Sequence, residues 1–485
     1  MALNSGIQMG VAILLLAAIG LATWLKVRSA RHDGSEKDVY LAGGGLSWVF
    51  VAGSITLTNL STDQLVGMNG NQMLLLAWWE ISGFIGLLIL AFVFVPIYYR
   101  NECTTVTELL DRRYQGDTRN VRTLISALFL FGNILIYLPA GLYSGALFLE
   151  SLFGGGIPLI VFAIILAVIS AAYTMMGGLR AVAVMDTYSG FGVLAIAVLI
   201  VVLALAAVQY DLFGGVPAER TTMIGGADSP IPFHTLFTGM IFIQIFYWST
   251  NQNITQKAMT APTVREAQKG VLAAAAIRIM IIPIIVTVPG VVAFKLIGDV
   301  GDKAYGLLVA QVLPGWLSGA FAAMIAAAVI AHTSAVLNST VALYAVDFHK
   351  PFIGAVRDNW RLSSITTVIV TISSIALVPM YQNAQSIINL LQQLNGLSSM
   401  PILSAFIVGL MFRGVGASAA TGGVVWGVAL YALYSFGLQP AGIITLHYID
   451  FMVVTLVTSV LFALAYNRVI LGRTAQFIGW RRAAA

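Results

Sequence analysis

Long apolar segments follow one another along almost the whole of this 485-residue chain. A helix needs about 20 predominantly apolar residues to cross a bilayer, so each of these segments predicts a membrane span. Charged residues make up only 9% of the chain, against about a quarter in soluble domains. The sequence therefore predicts an all-α polytopic membrane protein surrounded by a lipid bilayer. About thirteen spans are predicted, at residues 7–25, 48–70, 72–99, 124–152, 159–176, 181–207, 233–250, 270–296, 316–345, 363–380, 387–412, 418–436 and 451–466.

Basic residues concentrate in alternate loops between these spans. Cytoplasmic loops collect Lys and Arg, so the bias predicts an N-terminus outside and a C-terminus in the cytoplasm. We call the face that carries these loops the basic side. Because the net charge of +5 follows this placement, it indicates no nucleic-acid partner. The basic loops contain Arg100, Arg112, Arg113, Arg119, Arg122, Arg180, Lys257, Arg265, Lys269, Lys350, Arg357, Arg361, Arg413, Arg468, Arg473, Arg481 and Arg482.

Two sets of five spans follow the first helix, and the second set is predicted to be inverted relative to the first. Each set begins with an apolar segment that contains a dense polar run, at residues 54–70 and 244–253. Transporters built from inverted repeats use such interrupted helices to form sites at the bilayer midplane. The predicted divisions are a peripheral helix and linker at 1–45, repeats at 46–208 and 209–412, and two peripheral helices with a basic tail at 413–485.

The first polar run predicts a broken helix at the centre of a transport site. Thr56, Asn59, Thr62, Asp63 and Gln64 are close together in it, and a lipid-facing helix would leave such groups unsatisfied. The alternative is an intact helix whose hydroxyl groups bond to its own carbonyls and whose side chains contact neighbouring helices.

Five ionisable residues lie deep inside predicted spans: Asp63, Glu80, Asp186, Arg278 and His332. Charges are costly there and mark functional sites by default. Glu80 and Arg278 could bind sugar hydroxyls, or could form an ion pair that only locks two helices. His332 could be a core histidine bonded to a carbonyl. Amide, carboxylate and aromatic side chains that suit a sugar are Asn59, Gln64, Glu80, Gln244, Tyr247 and Gln392.

The sequence contains none of the motifs of the common catalytic or ATP-driven machineries. A phosphate-binding loop, an HExxH metal pair and a nucleophile elbow are all absent. Cys103 is the only cysteine, so neither an intrachain disulfide nor a metal cluster is expected. The prediction is secondary transport by a protein that is not an enzyme, needs no cofactor and needs no protein partner. A nutrient receptor and an intramembrane enzyme are the rival classes.

Short motifs in both halves of the chain resemble those of one transporter family. They are Asn59-Leu60-Ser61 with Gln64-Leu65-Val66-Gly67-Met68; Leu142-Tyr143-Ser144-Gly145-Ala146-Leu147; Gly177-Gly178-Leu179-Arg180-Ala181-Val182 with Asp186; Tyr247-Trp248 with Asn251-Gln252; Glu266-Ala267-Gln268-Lys269-Gly270; and Leu337-Asn338-Ser339-Thr340. Together they resemble the sodium/solute symporter family, in its sugar-transporting branch. The resemblance implies a leucine-transporter-like inverted five-helix repeat, a small sugar substrate and a place in a bacterial plasma membrane.

The resemblance also implies a substrate site. A family lysine corresponds to Arg278, which would also suit an acidic sugar. A family serine corresponds to Gly83 and a family asparagine to Tyr137. Tyr247 corresponds to a gate tyrosine on the cytoplasmic side. The implied substrate-binding residues are Asn59, Gln64, Met68, Glu80, Tyr137, Gln244, Tyr247, Arg278 and Gln392.

The implied sodium site is where this chain departs most from the family. Carbonyl ligands would come from Leu57, Leu60 and Ala328, but the two hydroxyl positions are Ala331 and His332. Alanine offers no side-chain ligand, and imidazole suits a hard cation poorly. Thr333 and Ser334 are close, but successive helical residues point about 100° apart.

These losses predict a proton-coupled sugar symporter in which His332 takes the place of sodium. Imidazole titrates near neutral pH when unperturbed. Asp186 corresponds to an acid on the family's cytoplasmic ion-release route and is predicted to relay the proton. Two alternatives remain: a sodium-coupled symporter with a rebuilt site, and an uncoupled carrier of a sugar acid or another small polar solute.

Overall fold

The computed structural model describes residues 2–27, 40–60, 62–114, 118–153, 156–356, 358–383 and 386–479. Within these residues, ten helices are long and apolar enough to cross a membrane, and the chain is a multi-span membrane protein. They are Gly6–Val27, Leu74–Arg100, Arg119–Phe153, Leu159–Ala207, Val264–Ile297, Gly315–Phe352, Asn359–Gln382, Ile387–Met411, Ala417–Leu438 and Tyr448–Val469. The count of about thirteen spans stays a prediction, because three predicted spans take another form.

One of these forms is the helix Leu159–Ala207, which contains two predicted spans in 49 residues. At 1.5 Å per residue it would measure roughly 70 Å if straight, more than twice the hydrocarbon thickness. It bends at Gly178, whose backbone angles are φ 50° and ψ −147°. Because residues with a Cβ rarely adopt this conformation, glycine permits the bend that the sequence had suggested as a loop.

The first polar run does interrupt its helix. Trp48–Asn59 is helical, Leu60 leaves the helix at φ −76° and ψ 52°, and a second helix runs over Thr62–Gly70. We call this pair the first broken helix. Ser61, at the interruption, lies outside the described residues. The predicted break is therefore confirmed.

The second polar run also contains a break. Gly239–Ser249 ends at Thr250, and Gln252–Ala258 begins after Asn251, whose side-chain oxygen accepts a hydrogen bond from the Asn253 amide at 2.9 Å. This side-chain cap satisfies a backbone donor that the new helix would otherwise leave free. We call this pair the second broken helix.

The helix Gly315–Leu343 runs through the interior of the protein and is the most buried of the spans. It contacts Ala2–Val27, Trp48–Asn59, Leu138–Phe153 and Leu159–Ala207. Its sequence is rich in Ala, Gly and Ser, and small side chains let helix backbones approach closely in a membrane. This central helix positions His332 beside the first broken helix.

The remaining bounds complete the description. Helix Ala77–Ile89 continues through a π-helical turn at Leu90–Phe94, and Arg119–Gly132 continues through another at Asn133–Tyr137. Two-residue strands Phe412–Arg413 and Gln476–Phe477 pair antiparallel, a small exception to the predicted all-α fold. The other helical segments are Ala42–Gly44, Leu74–Leu76, Val95–Arg100, Glu108–Arg113, Ala218–Thr221, Phe233–Phe237, Val264–Met280, Ile282–Ile297, Gly301–Lys303, Ala304–Val312, Tyr344–His349, Lys350–Phe352, Asn359–Leu377, Val378–Asn383, Ala417–Leu433 and Tyr434–Leu438.

Candidate functional site

A polar cavity lies between the two broken helices. The cavity is small: its volume of about 50 Å³ leaves room for only a few water molecules. A sugar would therefore have to displace side chains that now contact one another. The predicted residues that line it are Asn59, Gln64, Tyr137, Gln244, Tyr247, Arg278, His332 and Gln392. The predicted Met68 and Glu80 are buried behind this lining.

Asn59 joins several walls of the cavity. With its amide oriented to satisfy its neighbours, the nitrogen donates to the Tyr247 hydroxyl at 2.9 Å. The oxygen accepts from Gln64 Nε2 at 2.9 Å and from the Arg278 guanidinium. Asn59 is the last residue of its half-helix, so the break places its amide among these partners. One side chain thus connects both halves of the first broken helix to the second broken helix.

Arg278 forms a buried ion pair with Glu80. Its Nη2 contacts Glu80 Oε2, and the two side chains are 4% and 0% exposed. The guanidinium carbon lies 4.3 Å from the centre of the Trp248 ring, a cation–π arrangement. Arg278 therefore reaches the cavity with its charge already balanced.

Gly83 makes room for this arrangement. A Cβ at that position would lie 2.8 Å from Arg278 Nε and 3.0 Å from Trp248 Nε1. Both distances are shorter than a normal contact, so a serine would force these groups to move. We therefore expect the two departures from the implied family pattern, arginine for lysine and glycine for serine, to be physically coupled.

Gln244 uses its amide within the protein. Its Nε2 donates to the Trp79 carbonyl at 2.8 Å and to the Ser82 hydroxyl at 2.9 Å, and its Oε1 accepts from Trp248 Nε1 at 3.0 Å. These bonds fix the Trp248 ring under Arg278. Gln244 lines the cavity, but its amide is already satisfied, and its predicted contact with substrate stays a prediction.

The opposite wall comes from Tyr137 and the helix Ile387–Met411. The Tyr137 hydroxyl donates to Asn395 Oδ1, and Asn395 Nδ2 donates to Gln392 Oε1 at 3.4 Å. This chain of bonds connects the predicted Tyr137 and Gln392 through Asn395. The sequence reasoning did not include Asn395 among the site residues.

The predicted cation residues come from two helices that contact each other. Leu57 and Leu60 lie at the end of the helical half Trp48–Asn59 and at its cap, while Ala328, Ala331 and His332 lie on the central helix. His332 is 7% exposed and lines the cavity. A Cβ at Gly141 would lie 3.1 Å from His332 Cδ2, so the imidazole is close against that glycine.

Asp186 forms a second buried ion pair. Lys257 Nζ lies 2.8 Å from Asp186 Oδ2, and the two side chains are 1% and 0% exposed. The Ser54 hydroxyl donates to the same carboxylate oxygen at 2.8 Å, and Lys257 Nζ donates to the Ser54 carbonyl at 3.2 Å. The placement of Lys257 among loop charges was therefore wrong: it belongs to the second broken helix. The sequence signal for this pair was the deep acid Asp186 itself, because a buried carboxylate requires a cationic partner.

Two further residues of the cavity with chemically distinctive side chains, Asp63 and Trp248, were not assigned to the site from the sequence. Asp63 was recognised as a deep ionisable group but was not assigned to the site, and it lines the cavity beside Gln64. Trp248 was noted only as a family motif, yet it supports Arg278. The polar run and the adjacent Tyr247-Trp248 pair were the sequence signals for both.

Comparison with known proteins places this geometry in a family. The model of the sodium:solute symporter family matches residues 39–427. The chain belongs to the sodium:solute symporter family. The resemblance inferred from the motifs is thus confirmed, and this symporter is a transporter and not an enzyme.

Curated relatives cover most of the symporter. "Uncharacterized symporter YidK" of Escherichia coli (strain K12) is 33% identical over 444 residues, covering 86% of this chain and 76% of that protein. "Sodium/glucose cotransporter" of Vibrio parahaemolyticus is 28% identical over 452 residues, covering 85% and 82%.

Solved structures share the fold. The substrate-bound outward-open structure of a Na⁺-coupled sialic acid symporter matches with a TM-score of 0.80 and 17% identity, covering 97% of this chain and 99% of that one. MhsT in complex with L-phenylalanine matches with a TM-score of 0.52 and 14% identity, covering 86% and 98%. The leucine-transporter-like architecture is supported, and the symporter is a cation-coupled carrier of a small solute.

Proposed function

We propose that this protein is a secondary active symporter of a neutral sugar that works by alternating access and is coupled to protons through His332. The observation that carries the proposal is that His332 and the sugar-type polar side chains Asn59, Gln64 and Arg278 line one cavity. Cation and solute would then meet in the same space, which gives a direct physical route for coupling.

The chemistry of the cavity supports a sugar. Asn59, Gln64, Gln392 and Arg278 present amide and guanidinium groups that can replace their mutual hydrogen bonds with bonds to hydroxyl groups. Tyr247 and Trp248 add aromatic side chains to the lining. The relative named as a sodium/glucose cotransporter supports the same class of substrate.

The charges of the cavity favour a neutral solute over a sugar acid. Arg278 is paired with Glu80, and Asp63 adds another carboxylate to the lining. The lining thus includes the Asp63 carboxylate beside an Arg278 whose charge Glu80 already balances. A solute carboxylate would meet Asp63 at low dielectric, where like charges repel strongly.

The same balance supports proton coupling. The charged or titratable side chains that line the cavity around His332 are Asp63, Arg278, Tyr137 and Tyr247. A proton on His332 would place a positive charge in the cavity that Asp63 lines. His332 also lines the same cavity as Asn59, the last residue of the half-helix Trp48–Asn59, and carbonyl ends of helices favour cations.

Support for a rebuilt sodium site is weaker. The Ser334 hydroxyl donates to the Ser170 carbonyl at 2.9 Å, so it faces the helix Leu159–Ala207. Thr333 follows His332 by one residue, which turns its side chain by about 100°. On this proposal neither residue replaces the hydroxyls missing at Ala331 and His332, although the buried Thr333 hydroxyl has no hydrogen-bond partner among the described residues. The role of Asp186 as a proton relay stays part of this proposal.

The expected orientation of the protein in the membrane follows from the loop charges. The N-terminus is outside, the C-terminus is cytoplasmic, and the membrane is the bacterial plasma membrane. Tyr247, whose hydroxyl accepts a hydrogen bond from Asn59, is proposed as the lid that closes the cavity toward the cytoplasm. Opening the lid would break this hydrogen bond, so arrival and departure of the solute next to Asn59 are linked to the gate.

The test is uptake of labelled neutral hexoses into proteoliposomes. A pH gradient, inside alkaline, imposed without sodium is expected to drive accumulation, and a sodium gradient at fixed pH is not. His332→Gln is expected to retain counterflow exchange but lose accumulation driven by the pH gradient. Ser334→Ala serves as the matched control on the same helix. Accumulation by wild type that requires sodium, or normal proton-driven accumulation by His332→Gln, would contradict the proposal.

A further inference from the structure

The ion pair of Asp186 and Lys257 joins three elements on the basic side of the helix breaks. Asp186 lies on Leu159–Ala207, Lys257 on the second broken helix and Ser54 on the first. All three side chains are buried, at 0%, 1% and 1% exposure. A charged pair so far from water is retained only where its geometry and hydrogen bonds are good, and here the ammonium meets both a carboxylate and a carbonyl.

The ammonium sits close to the predicted cation site. Ser54, whose carbonyl accepts from Lys257 Nζ, precedes Leu57 by three residues on the same helix. Three residues advance a helix by roughly 4.5 Å and return nearly to the same face. Lys257 thus places a positive charge about one helical turn from the Leu57 carbonyl, on the basic side of the helix break.

A tethered cation differs from a dissolved one in its local concentration. The ammonium is part of the chain, so its competition with a free ion for Asp186 is intramolecular, and such contacts have a high effective concentration. The charge of Asp186 is balanced without sodium as long as Lys257 is present. Sodium prefers oxygen ligands, and the Asp186 carboxylate with the Ser54 carbonyl and hydroxyl would offer them if the ammonium were removed.

We propose that Lys257 is a built-in cation that takes the place of a dissociable ion at Asp186, and that it thereby determines which ion the symporter responds to. Removing its charge is expected to strengthen the response to sodium above that of wild type. The inference rests on the protein being a cation-coupled symporter, and not on the role of His332.

The experiment measures the melting temperature and the initial rate of sugar uptake of the full-length protein in NaCl and in choline chloride at equal ionic strength. Lys257→Gln is expected to melt at a higher temperature in NaCl than in choline chloride, because a ligand that binds only the folded state stabilises it. Its initial rate of sugar uptake is expected to be at least about tenfold higher with sodium, because sodium would balance the charge of Asp186 in place of the ammonium. Lys257→Arg keeps the charge and is expected to behave as wild type. Asp186→Asn removes the carboxylate and is expected to gain no response to sodium.

Equal responses of Lys257→Gln and wild type to sodium would overturn the inference, whatever ion drives wild type. If Lys257→Gln fails to fold in both salts while Asp186→Asn/Lys257→Gln folds, the inference is also overturned, because sodium then cannot replace the ammonium. Failure of the proposed function is a separate result: wild type itself would require a sodium gradient for accumulation.

Discussion

Among the residues that the structure describes, two ion pairs have both side chains almost fully buried, with similar chemistry and different surroundings. Glu80 with Arg278 and Asp186 with Lys257 each connect the first predicted repeat to the second. Arg278 lines the cavity and lies over Trp248, whereas Lys257 contacts only protein groups at Asp186 and Ser54 among its described hydrogen bonds. Burial of charge is therefore not by itself a sign of a solute site. What distinguishes the two pairs is whether the cation reaches open space.

The largest expected effect comes from breaking each pair on its acidic side. Glu80→Gln would leave Arg278 as a buried charge without its counter-ion, and a broken buried pair costs about 3–5 kcal/mol of folding free energy. Sugar affinity should fall with it, since Arg278 would lose the position that faces the cavity. Asp186→Asn should cost similar stability. It should leave sugar affinity within about threefold, well below the tenfold change that about 1.4 kcal/mol would give, because this ion pair does not reach the cavity.

The measurements are chemical denaturation and equilibrium sugar binding in detergent. The double variant Glu80→Gln/Arg278→Gln is the control, since it removes both charges and should recover stability without recovering binding. Equal losses of sugar affinity in Glu80→Gln and Asp186→Asn would remove the distinction between the two pairs.

Asp302 sharpens the comparison as a half-buried carboxylate for which the described residues provide no ion pair. It lies in the segment Gly301–Lys303 between spans and accepts a hydrogen bond from the Ile387 amide at 3.0 Å. Burial raises the pKa of this carboxyl from 3.8 to about 6, and the Ile387 hydrogen bond only partly opposes the rise. The folded protein therefore binds this proton more tightly than the unfolded chain does.

Because the pKa of Asp302 is higher in the folded state, the folding stability of the protein falls as pH rises from about 4 to about 6, the range over which this carboxyl ionises. The rise from 3.8 to about 6 corresponds to no more than roughly 3 kcal/mol. Asp302→Asn should match wild type near pH 4 and melt at a higher temperature above pH 7. Asp299→Asn, at a neighbouring exposed acid, is the matched control. A difference in melting temperature that does not change with pH would exclude this explanation.

The outlines of the fold were predictable because they depend on local features. Apolar length marks the spans, and the polar runs around Asn59 and Asn251 mark the breaks, since unsatisfied groups are costly in lipid. The partners of charged side chains were less accessible. Lys257 read as a loop residue because it stands near Arg265 and Lys269, and its carboxylate lies 71 residues earlier in the chain. A pairing over that separation depends on helix packing, which no local pattern records.

The smallest expected effect tests how the solute-facing pair is supported. Gly83→Ser would place a Cβ 2.8 Å from Arg278 Nε and so displace the guanidinium from Trp248. Overpacking of this kind typically costs about 1–3 kcal/mol, and we expect a comparable loss of sugar affinity.

Arg278→Lys alone should also weaken binding, because an ammonium cannot reproduce the planar fork. In Gly83→Ser/Arg278→Lys the slimmer side chain leaves space for the serine, so the loss should be smaller than the sum of the single losses. Ser82→Ala, next to Gly83 and bonded to Gln244, controls for general disturbance of this helix. The measurement is sugar binding by wild type, the two single variants and the double variant. Additive losses would mean that Gly83 and Arg278 act independently, and that the missing side chain at Gly83 is not what accommodates Arg278.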